Sequence, residues 1–547
     1  MTQPETNSQQ QQQALEIVTD QNKADKQQKT PQQLQNEKRI LRYRIFTFVV
    51  TFCSYAAAHC IRTSWSQIKP QIKSDKQYGL DTKFLGYMDM TFLLSYGIGL
   101  ATLGRLGDRL NLRFFTGFGM FGTSIVLMTL GAIQINHALT GDAQKAVFII
   151  LWILNGLCES TGMPGFVSAM GNWFSKNSRG AIMGFWIGTT NTGDIMGYIL
   201  GGVMTYSMNL YWGYVPIVSG FMLGVMGIIL LLFLRPYPEK LGLFIDEEGI
   251  ANADQELIQR RRLNSSFMIE AENKTVEALD DYEQKIKKDV EEQRNAKPVT
   301  FLNAWLIPNV ALYALIFSVV KSTIYSLLFW LPTYLSDKNL KGLNVYITCV
   351  FDAGIFLGGF IVGKLSDRIG KRSVVMVPSL FVATMMILTV ILLDSSAFGA
   401  NFVLFFIIGA FLGGPYNVIQ SAIMIDLAKQ KGLAKNTRAL ATVTGLIDGC
   451  GAIISAIMQV IIPFIGTTHI FYLLFGLACS SFLFLIPLLV KDTKSLLRRR
   501  QRKIDFMSSQ IQLNGKKQIL NDPSVPTLQN LNEKKESTDP LSTENKA

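Results

Sequence analysis

The sequence predicts an all-α membrane protein of twelve transmembrane helices arranged as two pseudo-symmetric six-helix bundles. Hydrophobic residues make up 49% of the 547 positions and the mean hydropathy is +0.25, too apolar for a soluble chain of this length but ordinary for a polytopic one with polar tails. Apolar runs of about 20 residues, the length that crosses a bilayer, recur at 45–66, 84–104, 114–135, 146–170, 180–205, 212–234, 306–335, 344–363, 373–393, 401–424, 439–463 and 468–490. The chain also repeats itself. "GRLGDRLNLR" (104–113) and "GKLSDRIGKR" (363–372) lie 259 residues apart, and "KNSRGAIMG" (176–184) and "KNTRALATV" (435–443) share that offset. Two independent loop motifs at one spacing point to a duplicated six-helix unit, an arrangement that places a substrate site near the midplane between halves.

The segments follow in order. Residues 1–39 are polar and Gln-rich with no signal-peptide pattern, so the first span is expected to do the targeting and the tail to be disordered. The first bundle is expected over 40–235 and a charged cytosolic linker over 236–300. The second bundle is expected over 301–490, with a disordered tail from 491 to 547. With the N-terminus inside, the inner short loops carry thirteen Lys and Arg. The outer ones carry seven: Lys69, Lys73, Lys76, Lys83, Lys145, Lys338 and Lys341. That bias puts both termini and the linker in the cytosol. The linker sequons at Asn264 and Asn273 would then stay unglycosylated.

Composition excludes several functions. A net charge of +12 is what basic cytoplasmic loops give, and no folded basic patch with interleaved aromatics marks nucleic-acid binding. Six cysteines stand singly in apolar runs and three histidines lack ligand spacing, so neither a disulfide framework nor a metal site is expected. No nucleophile–base pair occurs at workable spacing. An enzyme is not expected and no cofactor is needed.

The G-x-L-x-D-R loops resemble the signature of the major facilitator superfamily. "SYAAAHCIRTSWSQIK", "NGLCESTGMPGFVSAMGNWFSKNSRGAIMGFW", "LLFWLPTYL", "GGPYNVIQSAIMIDLA" and "ALATVTGLIDGCGAI" resemble, more narrowly, its organophosphate:phosphate antiporters and their eukaryotic sugar-phosphate exchangers. The resemblance covers about residues 40–495. It implies a two-bundle transporter exchanging a phosphorylated sugar or glycerol for inorganic phosphate, in the endoplasmic reticulum membrane; another internal membrane or the plasma membrane stays open, and a monomeric transport unit is expected. There are departures. Where bacterial relatives carry a second-span lysine and a fifth-span histidine, this chain has Leu100 and Thr190. Their seventh-span cation is an arginine closer to the Trp-x-Pro element than Lys321.

Arg62 poses the central question. Counted from Ile45 it lies roughly 25 Å along a core about 30 Å thick, deep enough to face a cavity yet close enough to the end to snorkel. The repeat offset carries position 62 onto Lys321, which has apolar sequence on both sides. Two cations related by pseudo-symmetry would clamp one anion, Arg as a planar fork and Lys as a point charge. An empty, doubly positive cleft would be poorly stabilised, which favours exchange over unladen crossing. Tyr55, His59, Arg62 and Ser66 share one helix face, and the resemblance places Tyr55, His59 and Arg62 in the pocket, although Tyr55 and His59 would serve equally as inter-helix hydrogen bonders. Tyr325 stands one turn beyond Lys321. Thr189, Thr190 and Asn191 are candidate donors to cargo, and Trp330, Pro332 and Pro415 shape helices.

Buried acids are either structural partners or coupling groups. The acids within spans are Asp89, Glu159, Asp194, Asp352, Asp426 and Asp448; Glu159, Asp352 and Asp448 are assigned as coupling or charge-partner groups, with Asp352 a candidate counter-ion for Lys321. Asp108, Arg109, Asp367 and Arg368 belong to the repeated loops and are assigned to gating. Two other readings stay open: a proton-coupled carrier of a sugar or another organic anion, with Asp352 or Glu159 as proton site, and a transporter-like receptor or scaffold.

Overall fold

The computed structural model describes residues 31–75, 79–107, 110–174, 182–183, 185–243, 301–394, 396–428 and 438–520. Asp108, Arg109 and the linker sequons lie outside them. The first half holds α1 (Pro31–Ser74), α2 (Thr82–Gly107), α3 (Leu112–Ile135), α4 (Gly141–Glu159), α5 (Gly162–Trp173), α6 (Thr189–Gly202) and α7 (Tyr214–Phe233). The second holds α8 (Phe301–Trp305), α9 (Val310–Asp337), α10 (Asn344–Ile369), α11 (Arg372–Leu393), α12 (Phe398–Val418), α13 (Met424–Ala428), α14 (Arg438–Ile465) and α15 (Ile470–Leu520). No strand occurs among the described residues.

Ten of these helical stretches are long and apolar enough to cross a membrane, against the twelve spans expected. The two shortfalls have physical reasons. The expected span 84–104 lies in α2, whose 26 residues cover about 39 Å but include Asp89 and several Gly, Ser and Thr. The span 180–205 has positions outside the described residues and resumes as α6. Two boundaries also move. Proline occupies the first position of α1, where its missing N–H is tolerated, and the helix begins at Pro31, inside the expected tail. The last helix runs on to Leu520 through residues rich in Arg, Lys, Gln and Leu, all good helix formers. Local signals fix other ends. The Asp81 carboxylate accepts the Phe84 N–H at 2.8 Å, capping α2, and Gly370 closes α10 at φ +68°, a left-handed turn that suits glycine.

Within the first half α1 packs on α6, α3 on α7 and α2 on α4. In the second, α10 packs on α12 and α9 on α14. The halves meet along α2/α14, α6/α10 and α1/α9. Small residues permit the close approach: a Cβ on Gly197 would collide with the Thr63 hydroxyl and the Cys60 carbonyl of α1. Gly197→Ala is therefore expected to destabilise the fold by about 1–3 kcal/mol, whereas Gly363→Ala, with open space around it, should not. The midpoint of detergent-induced unfolding compares the two.

Interior prolines free main-chain acceptors. A proline removes the helical partner of the carbonyl four residues back, and two of the freed groups find another donor. Pro415 frees the Phe411 carbonyl, taken by the Ser379 hydroxyl at 2.8 Å. Pro332 frees the Leu328 carbonyl of α9, taken from the other half by the Ser66 hydroxyl at 2.7 Å and the Tyr198 hydroxyl at 3.1 Å.

Candidate functional site

Arg62 projects from the C-terminal third of α1 and is 3% exposed. Its Nε donates to Glu159 Oε1 at 2.6 Å. Nη2 lies equally close to that oxygen but off hydrogen-bond geometry, so Nη2 and Glu159 Oε2 both keep unused bonding capacity. Nη1 crosses to the other half and donates to the Tyr325 hydroxyl at 3.3 Å. The guanidinium lies 4.6 Å from the Tyr96 ring centroid and 5.2 Å from that of Phe92, within the range of cation–π attraction. Arg62 is thus held within the protein, not at its rim.

Lys321 on α9 is 2% exposed. Its Nζ donates to Asp448 Oδ1 at 2.7 Å and sits 5.3 Å from the Tyr325 ring centroid. Tyr325 therefore stands between the cations, its hydroxyl accepting from Arg62 and its ring facing Lys321. The offset that linked positions 62 and 321 in sequence links them in space through this one side chain.

The acids differ from expectation. Asp448, not Asp352, pairs with Lys321, and Glu159 pairs with Arg62. The two cations are therefore not left uncompensated within the protein, because burial demands a counter-ion for each and the chain supplies one. Asp352, 1% exposed, has no hydrogen bond to either carboxylate oxygen; Asn191 and Asp194 of α6 lie beside it.

The remaining predicted residues divide. His59 Nδ1 pairs with Asp194 Oδ1 at 3.2 Å. Tyr55 stacks on Trp186 with centroids 5.5 Å apart and meets the His59 ring edge-on at 4.9 Å. The Thr190 hydroxyl turns back to the Ile187 carbonyl at 3.0 Å and that of Thr189 to the Phe52 carbonyl at 2.6 Å. Both serve the helices. In the second repeated loop Asp367 pairs with Arg372, whose Nε reaches Asp426 Oδ2 at 3.3 Å; Arg368 is exposed.

The sequence reading missed a second charged cluster. Lys69 and Lys73, expected in an outer loop, belong to the last turns of α1, and Lys83 belongs to α2. Lys69 and Asp89 are both fully buried and form an ion pair. Trp65 Nε1 donates to Asp89 at 3.0 Å, while Lys69 Nζ also donates to the Phe329 carbonyl at 3.1 Å and lies 4.4 Å from the Trp330 ring centroid. Further along, Lys73 Nζ meets Asp337 Oδ1 at 2.8 Å, and Gln67 donates to Asn344 Oδ1 at 3.2 Å. Together with Ser66 and Tyr198, these groups seal the halves at the C-terminal ends of α1 and α9. Two surface depressions lie elsewhere, one lined by Leu41, Ile45, Phe48, Phe174 and Phe185 and one by Arg39, Arg42, Tyr43, Phe46, Phe233 and Arg235, and hold none of the predicted site residues.

Comparison with known proteins gives a concordant picture. The model of the Major Facilitator Superfamily matches residues 47–458 and again 354–528. Sugar phosphate exchanger 3 of Mus musculus is 33% identical over 497 residues, covering 84% of this chain and 95% of its own. Sugar phosphate exchanger 3 of Homo sapiens is 32% identical over 497 residues, covering 84% and 96%. Among solved structures, a bacterial homologue of the human lysosomal transporter Spinster, in an inward-facing and unoccupied conformation, superposes with a TM-score of 0.51 at 14% identity. It covers 83% of this chain and 98% of its own.

Proposed function

The chain belongs to the Major Facilitator Superfamily, a multi-pass integral membrane protein, and on that premise we propose that it exchanges a phosphorylated sugar for inorganic phosphate by alternating access. The names of its mouse and human relatives, sugar phosphate exchanger 3, support the cargo class. One observation carries the mechanism: Arg62 and Lys321, buried in opposite halves, converge on Tyr325, each held by a carboxylate. Glu159 and Asp448 stand where phosphoryl oxygens would bind. A phosphate monoester, with about 1.5 to 2 negative charges and several acceptor oxygens, displaces them and draws the two cations together. Arg62 Nη2 already has a free N–H direction for it. Asn191 supplies a further amide near the seam.

Exchange, in this reading, follows from substitution of one anion for another. The internal carboxylates hold the unladen site in a tight, screened state, and cargo must break two buried ion pairs to enter. We take both termini to be cytosolic, the transport unit to be a monomer and the membrane to be that of the endoplasmic reticulum. The end sealed by Lys69 and Lys73 then faces the lumen. No chemical step on the cargo is involved.

Phosphate uptake into proteoliposomes preloaded with phosphate, glucose 6-phosphate or neither tests the function. Uptake only into anion-loaded vesicles is the expected result; equal uptake into empty vesicles would overturn exchange. For topology, Asn264 and Asn273 are expected to remain unmodified in cells, while a sequon engineered between α3 and α4 acquires glycan. An endoglycosidase-sensitive band for the native chain would invert the orientation.

A further inference from the structure

We propose that Asp352, facing Asp194 across the seam between the two halves, is a proton-binding site whose proton accompanies the anion cargo; the second clause rests on the exchange reading above. Arg62 is matched by Glu159 and Lys321 by Asp448, while Asp194 meets the His59 ring, a partner that carries charge only when protonated. Asp352 is the buried acid with no basic partner among the described residues. It is 1% exposed, no donor meets either oxygen in good hydrogen-bond geometry although the Asn191 amide lies beside it, and among the described residues it has no ion pair. A bare carboxylate in such a place is costly, and a buried acid commonly escapes that cost by taking up a proton.

The surroundings hold a donor, the Asn191 amide, and a second acid, Asp194. From α6, Asp194 and the Asn191 amide lie beside Asp352, and the Tyr198 hydroxyl is close. Cys349 approaches from its own helix. From α9, Lys321 is committed to Asp448 and Tyr325 to Arg62. Tyr416 on α12 stacks on Phe317 with centroids 5.4 Å apart. None of these offers an uncommitted positive charge. Asp194, by contrast, brings a second carboxylate toward the same seam, and two like charges sharing a buried site cannot both ionise cheaply.

The location gives the proton a role. Asp352 lies on α10 and Asp194 on α6, the helices along which the halves meet. Rocking separates those helices and admits water, so the acid can release its proton to that side. Closing them without a proton would bury a lone anion beside a second one. A cargo carrying nearly two negative charges adds to the same penalty, because the site's cations are already balanced. Loading with proton and anion together removes it.

The test uses the full chain, wild type and Asp352→Asn, in two measurements. Difference infrared spectroscopy reads the carbonyl stretch of a protonated carboxylic acid; the band is expected in the wild type at neutral pH and diminished in Asp352→Asn. An unchanged band overturns the site. Phosphate homoexchange between about pH 6 and about pH 8 reads the coupling. In the wild type, exchange should fall as pH rises, by at most about tenfold per pH unit for one required proton. In Asp352→Asn, which holds the neutral form at every pH, exchange should lose that slope. Phosphate itself titrates identically in both, so the difference belongs to the protein. A variant with the wild-type profile overturns the coupling. Absence of exchange under any loading refutes the transport reading and with it the coupling, while the infrared band still decides whether Asp352 holds the proton.

Discussion

Replacing Arg62 by alanine is expected to abolish phosphate exchange in proteoliposomes. Arg62 makes a charge-assisted bond to Glu159 and a bond across the seam to Tyr325, and it is the fork that cargo would engage. Truncating one member of a buried, hydrogen-bonded charge pair costs about 2–5 kcal/mol, roughly thirtyfold to several thousandfold in rate or affinity. Arg62→Lys should recover only part of this, because an ammonium cannot span Glu159 and Tyr325 at once. Part of the loss in the alanine variant comes from stranding Glu159 as an unpaired buried acid. The double variant Arg62→Ala with Glu159→Gln separates the causes: it should regain the wild-type unfolding midpoint while remaining inactive. Exchange at the wild-type rate in Arg62→Ala would remove Arg62 from the cargo site.

Lys69→Ala should be the most destabilising single change outside that site. The Lys69–Asp89 pair is fully buried, and removing the lysine leaves Asp89 with the Trp65 N–H alone among its described partners. Breaking such a pair costs about 3–5 kcal/mol, whereas replacing both members with apolar groups of similar volume is often neutral or stabilising. Lys69→Met combined with Asp89→Leu should therefore fold well. It would still lack the bond from Lys69 to the Phe329 carbonyl that ties the halves together. The double variant is expected to expose this end more often, read as faster thiol labelling of a cysteine introduced at Asp337. Unfolding midpoints of the single and double variants, compared with the wild type, check the first claim. A double variant as unstable as Lys69→Ala would show that packing, not charge, holds this end.

The fold class was legible because a membrane imposes long apolar runs, and because duplication leaves a constant spacing. The same spacing located Lys321 from Arg62. It could not locate their counter-ions, since the acids do not repeat: the offset carries Glu159 onto Val418, and Asp448 back onto Thr189. Counter-ions are fixed by which helices touch, α1 with α4 and α9 with α14, and one-dimensional patterns do not record that. Lys69 was misplaced for a related reason. A buried ion pair lowers local hydropathy as a loop does, and the nearby Pro70 reads as a boundary although α1 continues through it. Thr190 looked available as a donor because its bond to the Ile187 carbonyl is invisible without the backbone.

The carbonyl that Pro332 releases has a consequence for hydration. In the sealed state the Leu328 oxygen receives the Ser66 and Tyr198 hydroxyls. When the halves part there, those donors leave and α9 has no N–H to offer in their place. Hydrocarbon cannot solvate the orphaned oxygen, so the opening must be wetted as it forms. On the alternating-access reading proposed above, the gate is in this respect a drying and rewetting transition: water entry is a requirement of opening, not a by-product, and an osmotically dehydrated vesicle should slow turnover at this end first.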